Sequence, residues 1–264
     1  MNRNQAGFSS EAPENISSAT PVDADAVRTW FSDSAAVGHY ARAAASLGLW
    51  RAEEVILLQI FRREQRLLDI GCGAGRIAFG LWSLGFREIR GMDFCPPMIE
   101  RARELARERE IAIVFEVGDA TRLAVGDAAF DGAIFGFNGL MQIPGRDRRR
   151  RALAELRRVI RPGGSIVFTT HDRDLSCVRQ HWDRELQRWR NGTQSPQLLE
   201  FGDRIFQRDE GVVFMHLPDR AEILADLAAS GWTYEFDELR SRIANEPPAV
   251  HEFADECRFW IARA

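Results

Sequence analysis

Between Arg66 and Thr170 short apolar runs alternate with amphipathic stretches. The runs at 66–70, 88–93, 112–117, 130–136 and 164–170 have the length of strands. Between them, three sets recur at helical spacing and so share one face each: Ile77, Leu81 and Leu84; Ile99, Ala102, Leu105 and Ala106; and Leu153, Leu156, Val159 and Ile160. Repeated strand–helix units predict an α/β architecture, a parallel sheet covered on both sides. Ahead of them, Val37, Tyr40, Ala41 and Ala44, then Val55, Leu58, Ile60 and Phe61, predict two or more helices, interrupted at Gly48-Leu49-Trp50.

After residue 170 the alternation breaks. Residues 173–190 read as a helix with Val178, Trp182, Leu186 and Trp189 on one stripe, ended by Asn191-Gly192. The run DRIFQRDEGVVFMHL, residues 203–217, reads as a hairpin turning at Asp209 to Gly211. An insertion near strand ends suits substrate recognition. A last helix, Asp219 to Ser230, and strands near 232–237 and 257–263 return the chain to the sheet. Residues 1–25 are rich in Ser, Asn, Pro and Glu and read as a mobile tail. The expected organisation is therefore a tail over 1–25 and a single domain over 26–264, with a helical cap at 26–65, a core at 66–170, an insertion at 171–218 and a closing segment at 219–264.

Composition narrows the chemistry. The 264 residues carry a net charge of -4, which suits a small-molecule partner better than a nucleic acid. All 35 basic residues are arginine, which removes a Schiff-base lysine and a phosphate-loop lysine together. The four cysteines, Cys72, Cys95, Cys177 and Cys257, lie far apart and signal neither a metal site nor a disulfide framework. No run approaches the ~20 apolar residues of a membrane span, and a cytoplasmic location is expected. The run RDRRRRALAELRR, residues 146–158, reads as a solvated amphipathic helix, with a nucleic-acid arm as its rival.

The stretch LLDIGCGAGRIAFG, residues 67–80, runs a strand through Gly71, Gly73 and Gly75 into a helix. Glycines permit positive φ and close approach of a ligand, and the helix start offers unpaired N–H groups to an anion. A dinucleotide turn, G-x-G-x-x-G, would place its last glycine at position 76, where this chain has Arg76. Asp69, two residues before the turn, would repel a pyrophosphate but suits an ammonium group. Asp93, closing the next strand, can accept both hydroxyls of a ribose. Asp119, at the end of the third strand, could accept the exocyclic amine of adenine. An amino acid, a ribose and an adenine in line describe S-adenosylmethionine.

The pieces LLDIGCGAGR, IRGMDFCPPMIERAREL, EVGDA, FDGAIFGFNGLMQI and LRRVIRPGGSIVFTT together resemble the class I S-adenosylmethionine-dependent methyltransferases, in order and at the family's spacing over roughly residues 36–170. The resemblance implies a doubly wound, Rossmann-like, mostly parallel seven-stranded sheet with helices on both faces, a helical N-terminal cap and a helix-plus-hairpin insertion after strand 5. It also implies that Gly71, Gly73 and Gly75 line the methionine end, that Asp93 holds the ribose, and that Phe94 and Met98 flank the adenine. Asp119, with the backbone of Ala120, would read the adenine edge. Gly136, Phe137, Asn138 and Met141 would border the sulfonium, and Tyr40 would cap the cofactor. Cys72, Arg76 and Gly118 complete the expected cofactor set. Bland rivals exist: Asp69 could stabilise the neighbouring turn, Arg76 could solvate its helix, and Phe94 could be core.

A sulfonium is already activated, so holding a nucleophile in line matters more than an acid or base. If a base is used, His171, after the fifth strand, is the candidate, with Asp172 to orient it. Trp182 and Trp189 could wall a substrate or simply pack. The leading expectation is methyl transfer to an O, N, S or C atom of a small molecule, with no metal, no membrane and no nucleic acid, and with a homodimer as a candidate assembly. An RNA or protein methyltransferase anchored by RDRRRR and a non-catalytic cofactor-binding scaffold are the alternatives.

Overall fold

The computed structural model describes residues 20–175, 178–208 and 211–264. The expected tail up to residue 19, Cys177 and the hairpin-turn residues Asp209 and Glu210 lie outside the described residues. Strands β1 (Leu67–Ile70), β2 (Ile89–Asp93), β3 (Val114–Val117), β4 (Phe130–Phe135), β5 (Ile160–Thr170), β8 (Thr233–Leu239) and β9 (Arg258–Arg263) form a seven-stranded sheet in the order β3-β2-β1-β4-β5-β9-β8. The pairs among β1 to β5 are parallel, whereas β9 runs antiparallel to both β5 and β8. Strands β6 (Asp203–Arg208) and β7 (Gly211–His216) make the separate antiparallel hairpin expected of the insertion.

Side-chain alternation in the central strands feeds one core on each face. Leu67, Ile134 and Val167 pack with α2 (Ser34–Ser46), α3 (Arg51–Ile60), α4 (Arg76–Ser83) and α5 (Pro96–Glu108), while Leu68, Ala133 and Phe168 pack with α6 (Arg146–Val159) and α8 (Arg220–Ala229). Because β2 and β4 flank β1 on opposite sides, the crossovers diverge there and leave a crevice beyond the carboxyl ends of β1 and β4.

Several elements differ from the expectation. Helix α1 (Ala24–Phe31) begins inside the segment read as tail, because Asp23 Oδ1 accepts the Ala26 N–H at 2.8 Å and caps it. Val22 and Val27 then bury against Ile205 and Phe214 of the hairpin, a partner 178 to 192 residues away that composition cannot reveal. The buried face of α3 is Ala52, Glu53, Ile56 and Leu57, and the expected Val55 and Leu58 are 48% and 41% exposed. Its rotation is set by the buried ion pair of Glu53 with Arg76, which a hydrophobic count does not see.

Arg149, read as part of a solvated face, is 1% exposed and bonds Glu200 and Glu222 at 3.0 and 3.3 Å. Helix α7 (Arg179–Arg190) starts six residues later than expected, since Arg173 is drawn away to Asp219 and Glu222 at 2.5 and 3.1 Å. Two short helices, α9 (Arg240–Ile243) and α10 (Pro248–Phe253), stand in the closing segment, where only a helix and strands were expected. Among the described residues no helix is long and apolar enough to cross a membrane.

Candidate active site

The glycine turn sits at the carboxyl end of β1 with Gly71, Gly73 and Gly75 at φ 64°, 53° and 91°. Only glycine holds three left-handed φ values so close together without cost, and the turn delivers the chain straight into α4. A Cβ on Gly71 would stand 2.7 Å from the Phe135 ring, whereas one on Gly73 would meet nothing within 4 Å. Gly71 is thus required by packing and Gly73 leaves open space.

Three carboxylates fasten this edge. Asp69, 1% exposed, shares the α4 face of β1, and its Oδ2 accepts the Ala78 N–H at 3.1 Å, so it stabilises the first turn of α4. Burial raises its pKa to about 8, against the opposing pull of Arg76 and the Ala78 bond. Asp93 accepts the Gly73 N–H on Oδ2 and the Cys95 N–H on Oδ1, both at 2.8 Å. Burial raises its pKa too, with those two bonds opposing. Asp119 Oδ1 accepts the N–H and hydroxyl of Thr121 at 2.8 and 2.7 Å.

A cavity runs along this edge. Asp69, Gly71, Cys72, Gly73 and Arg76 line it from β1 and the turn, and Asp93, Phe94 and Met98 from the end of β2 and α5. Gly118, Asp119 and Ala120 line it beyond β3, Gly136 and Phe137 beyond β4, and Tyr40 from α2. The structure therefore brings fourteen of the seventeen expected cofactor residues to one cavity. Gly75 and Met141 do not line it: Gly75 lies against Phe79 and Phe115, and Met141 is buried in the core around α6. Asn138 lines an adjoining cavity together with His171.

Arg76 is not available as a ligand-binding cation. It makes a bidentate pair with Glu53 at 2.6 and 2.5 Å, donates to the Gly48 carbonyl at 2.8 Å, and stacks 4.7 Å from the Trp50 ring. Burial and the nearby Asp69 and Asp93 push the Cys72 thiol well up, so it stays protonated.

His171 is oriented by the Glu256 carbonyl, 2.9 Å from Nδ1, and by Asn138 Nδ2, 3.2 Å from Nε2. Asp172 instead binds Arg258 through Oδ2 at 2.8 and 2.9 Å, so the expected histidine–aspartate pairing does not form. Burial lowers the His171 pKa and keeps the ring neutral. Trp182 and Trp189 pack edge-on to Phe201 and line neither cavity, which makes their stripe internal packing.

Sequence reasoning missed Arg28 and Phe31 of α1 and Phe253 of α10, all on the first cavity. Asp23 ahead of an apolar-periodic stretch was a usable start signal for α1; nothing local marks Phe253. Arg28 lies 5.0 Å over the Phe94 ring. Of the RDRRRR run, Arg146 and Arg150 both bind Asp226 at 2.8 Å, and Arg149 is buried, so much of its charge is already spent inside the protein.

Glu200, His216 and Glu222 bring ligand-type atoms within 4.8 Å of one another. Both His216 nitrogens are already bonded, to Asp203 and Glu222 at 2.8 Å each, and Arg149 binds the two glutamates. The group is an ion-pair knot that ties the hairpin to α6 and α8.

Residues 67–164 match the family model described as a methyltransferase domain. A demethylmenaquinone methyltransferase from Deinococcus radiodurans is 39% identical over 107 residues, covering 39% of this chain and 42% of that protein. A malonyl-[acyl-carrier protein] O-methyltransferase from Serratia marcescens is 34% identical over 149 residues, covering 56% of this chain and 54% of that protein. The chain thus spans about half the length of the curated relatives it matches. The solved structure of a SAM-dependent methyltransferase from Methanosarcina mazei shares the fold with a TM-score of 0.64 at 22% identity, covering 82% of this chain and 98% of that one. Residues 67–164 are thus similar in sequence to methyltransferase domains, and the strand order has the fold of a class I S-adenosylmethionine-dependent methyltransferase.

Proposed function

We propose that this chain transfers a methyl group from S-adenosylmethionine to a small-molecule nucleophile. The observation that carries the reading is one cavity in which the glycine turn, Asp93 and Asp119 stand at the ends of three neighbouring strands. Adjacent strands lie ~4.8 Å apart, so the three groups meet successive parts of one elongated ligand. The fit is supported at Gly73, where a side chain would fill open space beside the cavity.

In this reading the start of α4 meets the ligand's carboxylate and Asp69 its ammonium group. Asp93 keeps its remaining lone pairs for the ribose hydroxyls, Asp119 takes the adenine amine, and Phe94 and Met98 flank the base. When bound, the cofactor supplies a methyl carbon already activated by a sulfonium. The protein's contribution is then orientation and exclusion of water. Phe31, Tyr40 and Phe137 close the reacting end, with the Tyr40 and Phe137 rings 5.9 Å apart and edge-on. Proximity of this kind accounts for up to ~7 to 11 kcal/mol of barrier, without a dedicated base. Work as one domain over residues 26–264, in the cytoplasm, belongs to the same proposal.

The acceptors in the names of the two relatives differ from each other, so this chain's acceptor is a matter for its own second cavity. Calorimetric titration with S-adenosylmethionine and S-adenosylhomocysteine tests the cofactor half, and binding of neither would end the proposal. Incubation with labelled cofactor in a cell extract should yield a methylated metabolite by mass spectrometry; its absence despite tight cofactor binding would favour a scaffold role.

A further inference from the structure

A second cavity adjoins the first, and Phe31, Tyr40, Phe137 and Gln142 line both. Its other walls are mostly apolar: Trp30 of α1 on one side, and Phe206, Val213 and Met215 of the hairpin on the other. The opposite charges at its edge are paired, Arg208 Nη2 to Asp255 Oδ2 at 3.2 Å. His39 and His171 also line it, so beside the paired charges the cavity offers neutral polar groups of His171 and Asn138 and broad ring surfaces to cover.

One polar atom in its wall is unsatisfied. Asn138 is 4% exposed and lines this cavity, and its Oδ1, closed to solvent until an occupant shifts the side chains over it, has no hydrogen-bond partner among the described residues. The orientation of that amide follows from its neighbours. His171 Nδ1 lies 2.9 Å from the Glu256 carbonyl, so in the neutral ring Nδ1 carries the proton and donates. Nε2 is then an acceptor and must be faced by a donor, which is Asn138 Nδ2 at 3.2 Å. Rotating the amide would set two acceptors against each other, so Oδ1 stays turned away from His171.

The backbone holds this arrangement at a cost. Phe137 and Asn138 take φ values of 48° and 59°, consecutive left-handed residues that are not glycine, and the Asn138 N–H donates to Thr169 Oγ1 at 2.8 Å. Strain of this kind persists where surrounding structure over-determines it, and it clusters at functional sites. Here it sets the Phe137 ring between the two cavities and Asn138 in the wall of the second.

We infer that the second cavity takes a neutral, largely aromatic acceptor that donates an O–H or N–H hydrogen bond to Asn138 Oδ1. This rests on the methyl-transfer reading and sharpens it: Asn138 selects a nucleophile that still bears its proton, which is lost to water as the new bond to the methyl carbon forms and the S–CH3 bond breaks to leave S-adenosylhomocysteine, and His171 is a positioning residue that fixes the amide.

The test is calorimetric titration of the full chain, with and without S-adenosylhomocysteine, using 2-naphthol and its methyl ether 2-methoxynaphthalene as probes. The wild type should bind the naphthol about tenfold tighter, the scale of one buried hydrogen bond. Asn138→Gly keeps the left-handed backbone and should bring the ratio near one, while Asn138→Asp restores an acceptor oxygen and should retain the preference. Phe206→Ala should weaken both probes alike and leave the ratio intact. Equal binding of the probes to the wild type, an undiminished ratio in Asn138→Gly, or no binding of either probe overturns the inference. Failure to bind S-adenosylhomocysteine overturns the methyl-transfer reading instead, and the two failures are read from separate titrations.

Discussion

The two cavities share Tyr40 and Phe137 yet are held by different means. At the first, the Asp93 and Asp69 carboxylates bind the backbone N–H groups of Gly73, Cys95 and Ala78, all at or beside central parallel strands. At the second, the hairpin β6–β7 hangs on pairs of side chains, with His216 between Asp203 and Glu222, Arg173 on Glu222, and Arg208 on Asp255. Backbone bonds tie a site to strand register, and any change of register would disturb the whole sheet. A pair of side chains can be exchanged without moving the backbone, so the hairpin wall of the second cavity is freer to change than the glycine-turn edge of the first.

The largest effect that would break this contrast is expected at His216. In His216→Leu the Asp203 and Glu222 carboxylates lose their shared cation in a buried place, and stability should fall by on the order of 3 kcal/mol in denaturant unfolding. An unchanged midpoint would mean that the hairpin is not anchored there. The same knot has a pH signature. Burial lowers the His216 pKa, but its bonds to Asp203 and Glu222 outweigh burial and raise it above 6.5. Its contribution is therefore complete below 6.5 and lost as pH rises through the folded value. Burial raises the Glu222 pKa, but His216, Arg149 and Arg173 outweigh it and hold it at about 2, so its contribution is complete above 4.5 and lost as pH falls toward about 2. The wild-type advantage over His216→Leu should shrink on the alkaline side of neutrality, measured as the difference in melting temperature.

Next in size is Asp93→Ala. If Asp93 holds the ribose, cofactor affinity should drop by about 1.5 to 3 kcal/mol. Because Asp93 also binds the Gly73 and Cys95 N–H groups, the glycine turn should slacken as well. Asp93→Asn keeps one acceptor oxygen and should lie between; wild-type affinity in a folded Asp93→Ala would remove Asp93 from the site.

A smaller effect concerns Asp69. With a pKa of about 8 in the free protein it carries a proton at neutral pH, and an ammonium group beside it would favour the carboxylate. Cofactor binding at pH 7 should then release a proton, and affinity should rise by up to about tenfold per pH unit until about pH 8. Calorimetry in buffers of different ionisation enthalpy reads this directly. No proton release would leave Asp69 as the cap of α4 alone.

The smallest expected change is the stability of Gly73→Ala, about 1 kcal/mol for its left-handed φ, since no atom lies within 4 Å of the new methyl group. Gly71→Ala should cost more, because the Phe135 ring is in the way. Equal losses at the two positions would contradict the packing described at Phe135.

The glycine-turn edge of the first cavity was largely legible in the chain because its signals are local. Glycine spacing, an acid at a strand end and Pro96-Pro97 at the start of α5 each act within a few residues of where they are read. The misreadings share a cause, which is a partner distant in sequence. Val55 and Leu58 face outward because Glu53 must meet Arg76; Arg149 is buried because Glu200 and Glu222 surround it; Asp172 leaves His171 for Arg258. Ion pairs carry no periodicity, so a pattern of apolar positions cannot rank them.

By itself the sequence determined the strand–helix alternation, the turn at Gly71 to Gly75 and the three acids at successive strand ends, because backbone propensity and side-chain period operate over short stretches. Only the tertiary structure decided that α1 packs against the hairpin beside the first cavity, that Phe137 stands between two cavities, and that Asn138, in the wall of the second, has a buried oxygen without a partner among the described residues. Those outcomes depend on which buried groups find partners across the fold, and that is settled by three-dimensional packing rather than by any local run of residues.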